Sequence, residues 1–273
     1  MSDPAEKDAT TGNAPADGDE APPPENEVRA SFFDHLTELR IRLVRALLGV
    51  AVGVAVTGWF SERIFRYVMQ PVIDALPEGQ RVLNYTSSLE PFLVYLKVSL
   101  YGGLFLAAPW VLFQLWLFIA PGLYKREKKL VIPFVATGTL LFYCGVAFTY
   151  FAVMPFAFPA LASIAGPDMK PILTMREQLT LVLAMMLGFG LVFEIPVIIA
   201  FLAMIGLVTP EFLAKYRRHA IIVNVILAAI LTPTGDPFNL AIMAVPMILF
   251  YEVGILAARL VGKKKAAEPA PAS

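Results

Sequence analysis

The chain has 273 residues, of which 58% are hydrophobic and only 16% are charged, and its mean hydropathy is +0.67. Soluble domains average ~45–50% apolar and ~25% charged residues, so the composition excludes an ordinary soluble domain and predicts a membrane protein. The 22 basic and 22 acidic residues argue against a nucleic-acid partner, and the single cysteine excludes an internal disulfide and a multi-cysteine metal site. The sequence contains no phosphate-binding loop, zinc-hydrolase motif or serine-nucleophile motif, so we predict no enzyme activity, no metal and no cofactor.

The first segment of the chain, residues 1–30, is rich in Ala, Pro and acidic residues. It holds eight acidic and two basic side chains and almost no large apolar ones. Such a segment cannot bury enough surface to offset its ordering entropy, so we expect a disordered acidic tail. The predicted membrane domain then covers residues 31–262, and residues 263–273 are expected to form a cytoplasmic tail.

Six apolar stretches follow this tail, and a helix needs about 20 apolar residues to cross a bilayer. The stretches are residues 43–60, 92–119, 130–154, 179–208, 220–231 and 238–258. The fifth has only 12 residues, so by length alone it could also be re-entrant or interfacial. The pattern predicts an all-α polytopic membrane protein with six transmembrane helices, the last two joined by a tight turn at residues 232–237.

Basic residues predict the orientation of these helices, because Lys and Arg concentrate at the cytoplasmic ends of spans. With six spans, fourteen cations fall on one side and six on the other. The first group comprises Arg40, Arg42, Arg45, Lys125, Arg126, Lys128, Lys129, Lys215, Arg217, Arg218, Arg259, Lys263, Lys264 and Lys265. The second group comprises Arg63, Arg66, Arg81, Lys97, Lys170 and Arg176. Both termini are therefore predicted to be cytoplasmic, whereas omitting the fifth span would place the C-terminal lysine run outside.

Local signals predict where several helices begin and where two helices touch. Ser31, Ser87 and Thr174 each precede an acidic residue by three positions, which is typical of a capping box. Thr209 is followed by a proline, which predicts another helix start. Residues 49–53 (GVAVG) have the small-x-x-x-small spacing of close helix contacts, which we interpret as internal packing.

An amphipathic stretch that precedes the first span carries the first candidate site. On a helix, Glu38 would share a face with Arg42, and apolar residues would occupy another face. One interpretation is a membrane-surface helix stabilised by ion pairs between residues four apart. The alternative is a carboxylate held at the membrane surface for a cationic partner. Glu127 in the segment 125–129 (KREKK) raises the same choice between a solvated positive loop and a docking group.

Further candidates lie in or between the later spans. Glu194 lies deep in the fourth span, where an ionisable group is costly and is a functional candidate by default. Alternatively, it is a protonated side chain bonded to backbone groups that Pro196 frees. Gln114 in the second span is its candidate polar partner, whereas Glu252 lies nearer a span end and can reach the interface. Asp236 lies in a turn rich in Pro and Gly, where turn chemistry alone also explains it.

Six segments resemble, in order, the sequence motifs of the TatC family, the polytopic core of the twin-arginine protein translocase. They are residues 35–43 (HLTELRIRL), 107–124 (AAPWVLFQLWLFIAPGLY), 125–129 (KREKK), 142–151 (FYCGVAFTYF), 189–196 (FGLVFEIP) and 231–233 (LTP) with Asp236. The resemblance covers about residues 31–262. It implies six spans with cytoplasmic ends in the bacterial cytoplasmic (inner) membrane, which agrees with the charge pattern.

The resemblance also implies a function and its residues. The protein would recognise the twin-arginine signal peptides of folded precursor proteins through Glu38 and Glu127, with Arg40 also needed. Glu194, with Gln114, would form an intramembrane polar contact for partner helices, and Asp236 would lie in a periplasmic turn near them. The implied partners are the single-span subunits TatA and TatB, further copies of this chain and membrane lipid. Transport would draw on the transmembrane proton gradient.

Two other functions stay open from the residues themselves. A proton-coupled small-solute transporter would use Glu194 as its coupling group. No internal repeat is visible in the sequence, which weighs against an inverted-repeat transporter. An intramembrane enzyme would need paired catalytic groups at one depth, and the sequence offers no such pair.

Overall fold

Nearly all of the described chain is α-helical. The computed structural model describes residues 25–76, 81–119, 131–164, 173–231 and 237–267, and places side chains for 35–76, 81–119, 132–160, 173–231 and 237–260. The helices in these ranges are α1 (Glu25–Trp59), α2 (Ser61–Asp74), α3 (Glu90–Ile119), α4 (Val131–Phe148), α5 (Met154–Ile164), α6 (Met175–Met204), α7 (Pro210–Lys215), α8 (Arg217–Leu231) and α9 (Pro237–Ala267). Within the same ranges, extended pairing is confined to an isolated bridge between Asn84 and Thr174. The all-α prediction is confirmed.

The described helices coincide, in order, with the six predicted apolar stretches. Four continuous helical segments are long and apolar enough to cross a membrane: Glu90–Ile119, Ile132–Ala160, Met175–Met204 and Pro237–Leu260. The end of α1 together with α2 would add a fifth, although the two are bent by 84°. With 15 residues, α8 extends only about 22 Å at 1.5 Å per residue. The count of six spans and the cytoplasmic position of both ends stay predictions.

The sequence did not predict α2, which follows α1 after a sharp bend. Its buried residues Phe65, Val68, Met69 and Val72 recur at the spacing of one helix face. This face packs on α3, α5 and α6. Because the apolar residues alternate with Glu, Arg and Gln, α2 contains no continuous apolar run, and a search for membrane spans passes over it.

Helices α1 and α3 approach each other until backbone atoms touch. A Cβ added to Gly53 would lie 2.5 Å from the carbonyl oxygen of Gly103. The Thr57 hydroxyl secures the same contact, since its Oγ1 lies 2.8 Å from the carbonyl oxygens of both Gly53 and Ser99. The interpretation of residues 49–53 as an internal packing motif is confirmed.

The most buried helix of the candidate spans is α6. Of its most apolar window, 67% is buried, against 28–33% in the other three continuous segments. It packs mainly on α4 and α9. Against α4, Gly145 rests on the backbone of Phe189, and Gly190 receives the ring of Phe142. Each glycine therefore lets the two helices pack at short range, and α4 then continues through a π-helical turn, Thr149–Val153, into α5.

Two predicted helix starts are confirmed by side-chain hydrogen bonds. Thr174 caps α6, because its Oγ1 accepts from the backbone N–H of Glu177 at 3.4 Å. Thr209 caps α7, because its Oγ1 accepts from the backbone N–H of Phe212 at 3.1 Å. Both bonds satisfy an N–H group that has no partner inside the helix.

The predicted start at Ser87 is confirmed in part. At the start of α3, Ser87 Oγ accepts from the backbone N–H of Leu89 at 3.4 Å, and the carboxylate of Glu90 accepts from the backbone N–H and the hydroxyl of Thr86. The prediction that Ser31 caps the first helix is wrong, because α1 already begins at Glu25. Acidic residues are favourable in the first turn of a helix, and the sequence supplies two there. The preceding residues 1–24, most of the predicted acidic tail, lie outside the described residues.

Candidate functional site

The main candidate inside the membrane domain is Glu194 on α6. Its side chain is buried, with 6% of its surface exposed, and its Oε1 has no hydrogen-bond partner among the described residues. The alternative in which the carboxyl group bonds to backbone groups near Pro196 is therefore not realised at this oxygen. A buried polar atom without a partner costs free energy, so stability of the isolated chain does not explain why this residue is here.

The pocket around the Glu194 carboxylate is created by a glycine on α4. A Cβ added to Gly138 would lie 2.8 Å from Oε2 and 3.3 Å from Oε1 of Glu194. α4 and α6 run antiparallel, and Gly145 of α4 and Gly190 of α6 also make close contacts between these two helices. The contact of Gly138 with Glu194 continues this line of glycine contacts along the helix pair. The carboxylate thus occupies a place where the opposing helix has no side chain.

Two further buried oxygens without partners lie on the helices that pack around Glu194. Gln114 on α3 is 3% exposed, and its Oε1 has no hydrogen-bond partner among the described residues. Thr139 on α4 follows Gly138 directly, and its Oγ1 is buried and unpartnered in the same sense. The structure records no hydrogen bond between Gln114 and Glu194 in its described part. Sequence reasoning missed Thr139, because a threonine in an apolar helix ordinarily bonds to its own backbone and draws no attention.

The residues predicted to bind a peptide are only partly described. The described chain divides into two units between Arg40 and Ile41. Within the first unit, Glu38 is half-buried and Arg40 is exposed, both on α1. Glu127 and Asp236 lie outside the described residues. The structure therefore leaves the predicted pairing of Glu38 with Glu127 untested.

Glu252 lies near the middle of α9 and pairs with a basic residue of α8. Its Oε2 lies 2.8 Å from Nη2 of Arg217 at the start of α8, and both side chains are nearly half exposed. The neighbouring Tyr251 donates its hydroxyl to the carbonyl oxygen of Leu213 on α7 at 2.9 Å. Glu252 is thus paired with Arg217 of the neighbouring helix α8, and its reach to a membrane interface stays a prediction.

The match to a family model decides the class of protein. The model, described as Sec-independent protein translocase protein (TatC), matches residues 34–246, and all the buried polar residues named above lie within that range. The chain belongs to the TatC family. The ordered motifs that first indicated the resemblance are thus confirmed as a family relationship.

Relatives and solved structures cover most of this TatC-family chain. The Sec-independent protein translocase protein TatC of Desulforapulum autotrophicum is 40% identical over 239 residues, which is 88% of either chain. That of Escherichia coli strain K12 is 37% identical over 233 residues, which is 85% of this chain and 90% of the relative. A solved structure described as "Crystal Structure of Twin Arginine Translocase Receptor- TatC" aligns with a TM-score of 0.75 and 33% identity. It covers 83% of this chain and 99% of that one.

Membership of the TatC family settles the general function. The protein is a membrane component of a Sec-independent protein translocase, and the family is a transport family and not a family of enzymes. The several apolar helices of the chain agree with a place in the membrane. The alternatives of a proton-coupled small-solute transporter and of an intramembrane enzyme are therefore set aside.

Proposed function

We propose that this protein is the receptor of a twin-arginine translocase, which recognises paired arginines in the signal peptides of folded precursor proteins. The main support is the likeness to solved structures that are themselves described as twin-arginine translocase receptors. Transport of the folded cargo would then draw on the transmembrane proton gradient, since the sequence contains no phosphate-binding loop.

The proposed recognition rests on two carboxylates and one arginine. A guanidinium presents a rigid fork of N–H donors that matches a carboxylate, whereas an ammonium presents a point charge. Glu38 and Glu127 would each accept one arginine of the signal peptide. Arg40 follows Glu38 by two positions on α1 and would assist in orienting the peptide or its carboxylate partner.

Affinity for matched peptides tests this proposal. The full-length protein in nanodiscs should bind an Arg-Arg signal peptide more tightly than the same peptide with Lys-Lys, and Glu38→Gln with Glu127→Gln should remove the difference. Glu211→Gln is the matched control, because Glu211 is an exposed carboxylate in the first turn of α7. Equal affinity for the two peptides in the unmodified protein would contradict the proposal.

We further propose that Glu194 and Gln114 contact the single transmembrane helices of TatA and TatB. The support is that both residues carry a buried oxygen without a partner in the described chain. Such oxygens would gain a hydrogen bond from a polar group on an incoming helix, and a bond of this kind contributes about 1 kcal/mol in membranes. Asp236, in the predicted outer turn, would lie beside the same helices. Further copies of the chain would assemble in the receptor complex.

A substitution of Glu194 separates this role from a structural one. Glu194→Leu should raise the Tm of the isolated protein, because removing an unsatisfied buried polar group relieves a cost of about 1–3 kcal/mol. The same substitution should reduce crosslinking to a single-span partner, whereas Glu194→Gln should preserve more of it. A lower Tm together with unchanged crosslinking would assign Glu194 to the fold alone.

We propose that the protein lies in the bacterial inner membrane, crosses it six times and has both ends in the cytoplasm. Cys144 is the one cysteine of the sequence, so Cys144→Ser gives a background for single-cysteine labelling. Ser2→Cys and Ser273→Cys should react with an impermeant reagent from the cytoplasmic side only. Ser88→Cys, at an exposed position just before α3, should react from the opposite side only. Labelling of Ser2→Cys and Ser273→Cys from opposite sides would require an odd number of spans.

A further inference from the structure

A groove opens between the N-terminal parts of α3 and α6. Its volume is about 320 Å³. Three leucines, a valine and a tyrosine form most of its lining, and two cations, Lys97 and Arg176, complete it. The leucines are Leu93, Leu96 and Leu100, each about half exposed on the outer surface of α3.

Lys97 lies seven residues into α3, which places it about 10 Å along the helix from Glu90. A lysine at this depth in an apolar helix is costly unless its ammonium reaches water or a partner. Nζ of Lys97 donates to Oγ1 of Thr180 on α6 at 2.8 Å, and that hydroxyl donates to the carbonyl oxygen of Arg176 at 2.6 Å. The ammonium is therefore held across the groove by a neutral acceptor, which leaves its charge without compensation.

The second cation increases the positive charge of the groove. Arg176 lies in the first turn of α6, exposed, and its charge repels that of Lys97. In the described part of the chain, neither forms an ion pair, and the recorded pairs lie elsewhere. The carboxylate of Glu90 lies near, but its oxygens accept from Thr86 and from the backbone N–H of Arg176. Glu177 follows Arg176 on the helix and is exposed.

We propose that this groove binds one anionic phospholipid from the leaflet at the N-terminal ends of α3 and α6. The headgroup phosphate would lie between Nζ of Lys97 and the guanidinium of Arg176, and an acyl chain would follow the leucines of α3. The charge and the lining together favour this occupant, because a phospholipid combines a phosphate with an apolar chain at this depth. A groove of this volume accommodates a chain, whereas a whole helix is about 10 Å wide. This inference is independent of signal-peptide recognition.

Lipid retention on the purified full-length chain tests the proposal. The protein is placed in nanodiscs of phosphatidylcholine with increasing phosphatidylglycerol, and bound lipids are counted by native mass spectrometry. The unmodified chain should retain one phosphatidylglycerol in preference to phosphatidylcholine. Lys97→Gln and Arg176→Gln should each weaken this retention roughly fivefold, and the double variant roughly twentyfold or more. Lys97→Arg keeps the cation and should retain the lipid.

Two controls make the outcome decisive. Arg66→Gln removes an exposed cation that already pairs with Glu62 on α2, so phosphatidylglycerol retention should stay unchanged. If Lys97→Gln unfolds, the result for Arg176→Gln decides the question. The Arg176 side chain is exposed, so its replacement should leave the fold intact. Unchanged phosphatidylglycerol retention in Arg176→Gln would overturn the proposal. If Lys97→Gln and Arg176→Gln lose crosslinking to a single-span partner but still retain phosphatidylglycerol, the proposal is also overturned. The groove would then be assigned to a partner helix.

Discussion

The carboxylate of Glu194 on α6 lies in the space that a side chain at position 138 of α4 would occupy. An added Cβ at Gly138 would be 2.8 Å from Oε2 of Glu194, which is closer than such atoms pack. The antiparallel row of close contacts between α4 and α6 fixes this opposition. A glycine on one helix therefore provides the room for a buried, incompletely bonded carboxylate on another.

Gly138→Ala should move the Glu194 carboxylate without unfolding the protein. The clash falls on the far end of a flexible side chain, which can rotate, so we expect a small change in Tm and a clear fall in crosslinking between α6 and a single-span partner. Gly58→Ala is the matched control, because its Cβ would meet Ser99 Oγ at 3.7 Å, an ordinary contact. Unchanged crosslinking in Gly138→Ala would show that the position of the carboxylate does not matter to partner binding.

Gly53→Ala should destabilise the contact between α1 and α3. The added Cβ would press on the backbone carbonyl of Gly103 at 2.5 Å, and backbone cannot rotate away as a side chain can. Overpacking of this kind costs about 1–3 kcal/mol. Thermal unfolding in detergent measures it, with Gly58→Ala on the same helix as the control. Equal Tm values for the two alanine variants would mean that α1 and α3 separate easily.

Glu90 should hold the segment before α3 against the start of α6 through its hydrogen bonds; we call this set of bonds the latch. Its Oε2 accepts from the backbone N–H and the hydroxyl of Thr86, at 2.7 and 2.9 Å. Its Oε1 accepts from the backbone N–H of Arg176 at 3.2 Å, beside the backbone bridge between Asn84 and Thr174. Glu90→Gln turns one acceptor into a donor that faces another donor, so one of these bonds must break.

Hydrogen exchange measures the effect of Glu90→Gln locally. Exchange should accelerate in residues 81–89 and in the first turn of α6, and it should stay unchanged in α9. Glu177→Gln is the control, because that exposed carboxylate lies next to Arg176 and leaves the latch intact. Exchange that is equal in the two variants would mean that Glu90 does not join these segments.

The sequence predicted the helices of the membrane domain better than their contacts. Every predicted apolar stretch coincides with a described helix, because long apolar runs are a direct signal of burial in lipid or protein. The amphipathic helix α2 was not predicted, because its four buried residues are spread among charged ones. The Ser31 cap was wrong, because the helix could extend toward its N-terminus through favourable acidic residues.

The candidate site was predictable only in part. Glu194 stands out in any apolar span, and its burial agrees with that signal. Its opposition to Gly138 depends on which helices pack together and in which register, and a single sequence does not state either. Thr139 gave no signal, because a threonine in an apolar helix ordinarily bonds to its own backbone. In the sequence, Lys97 was only one of the six cations assigned to the outer side. Its hydrogen bond to Thr180 joins residues 83 positions apart, and a single sequence does not reveal such a contact.

Recognition of twin-arginine signal peptides is tested most directly by a double-mutant cycle. Glu38→Gln and Glu127→Gln are each combined with replacement of either arginine of the peptide by glutamine, and Kd is measured for every combination. Paired groups should show a coupling free energy of about 1–3 kcal/mol between one glutamate and one arginine. The Glu211→Gln control should show none. Coupling near zero for both glutamates with both arginines would contradict the proposed function.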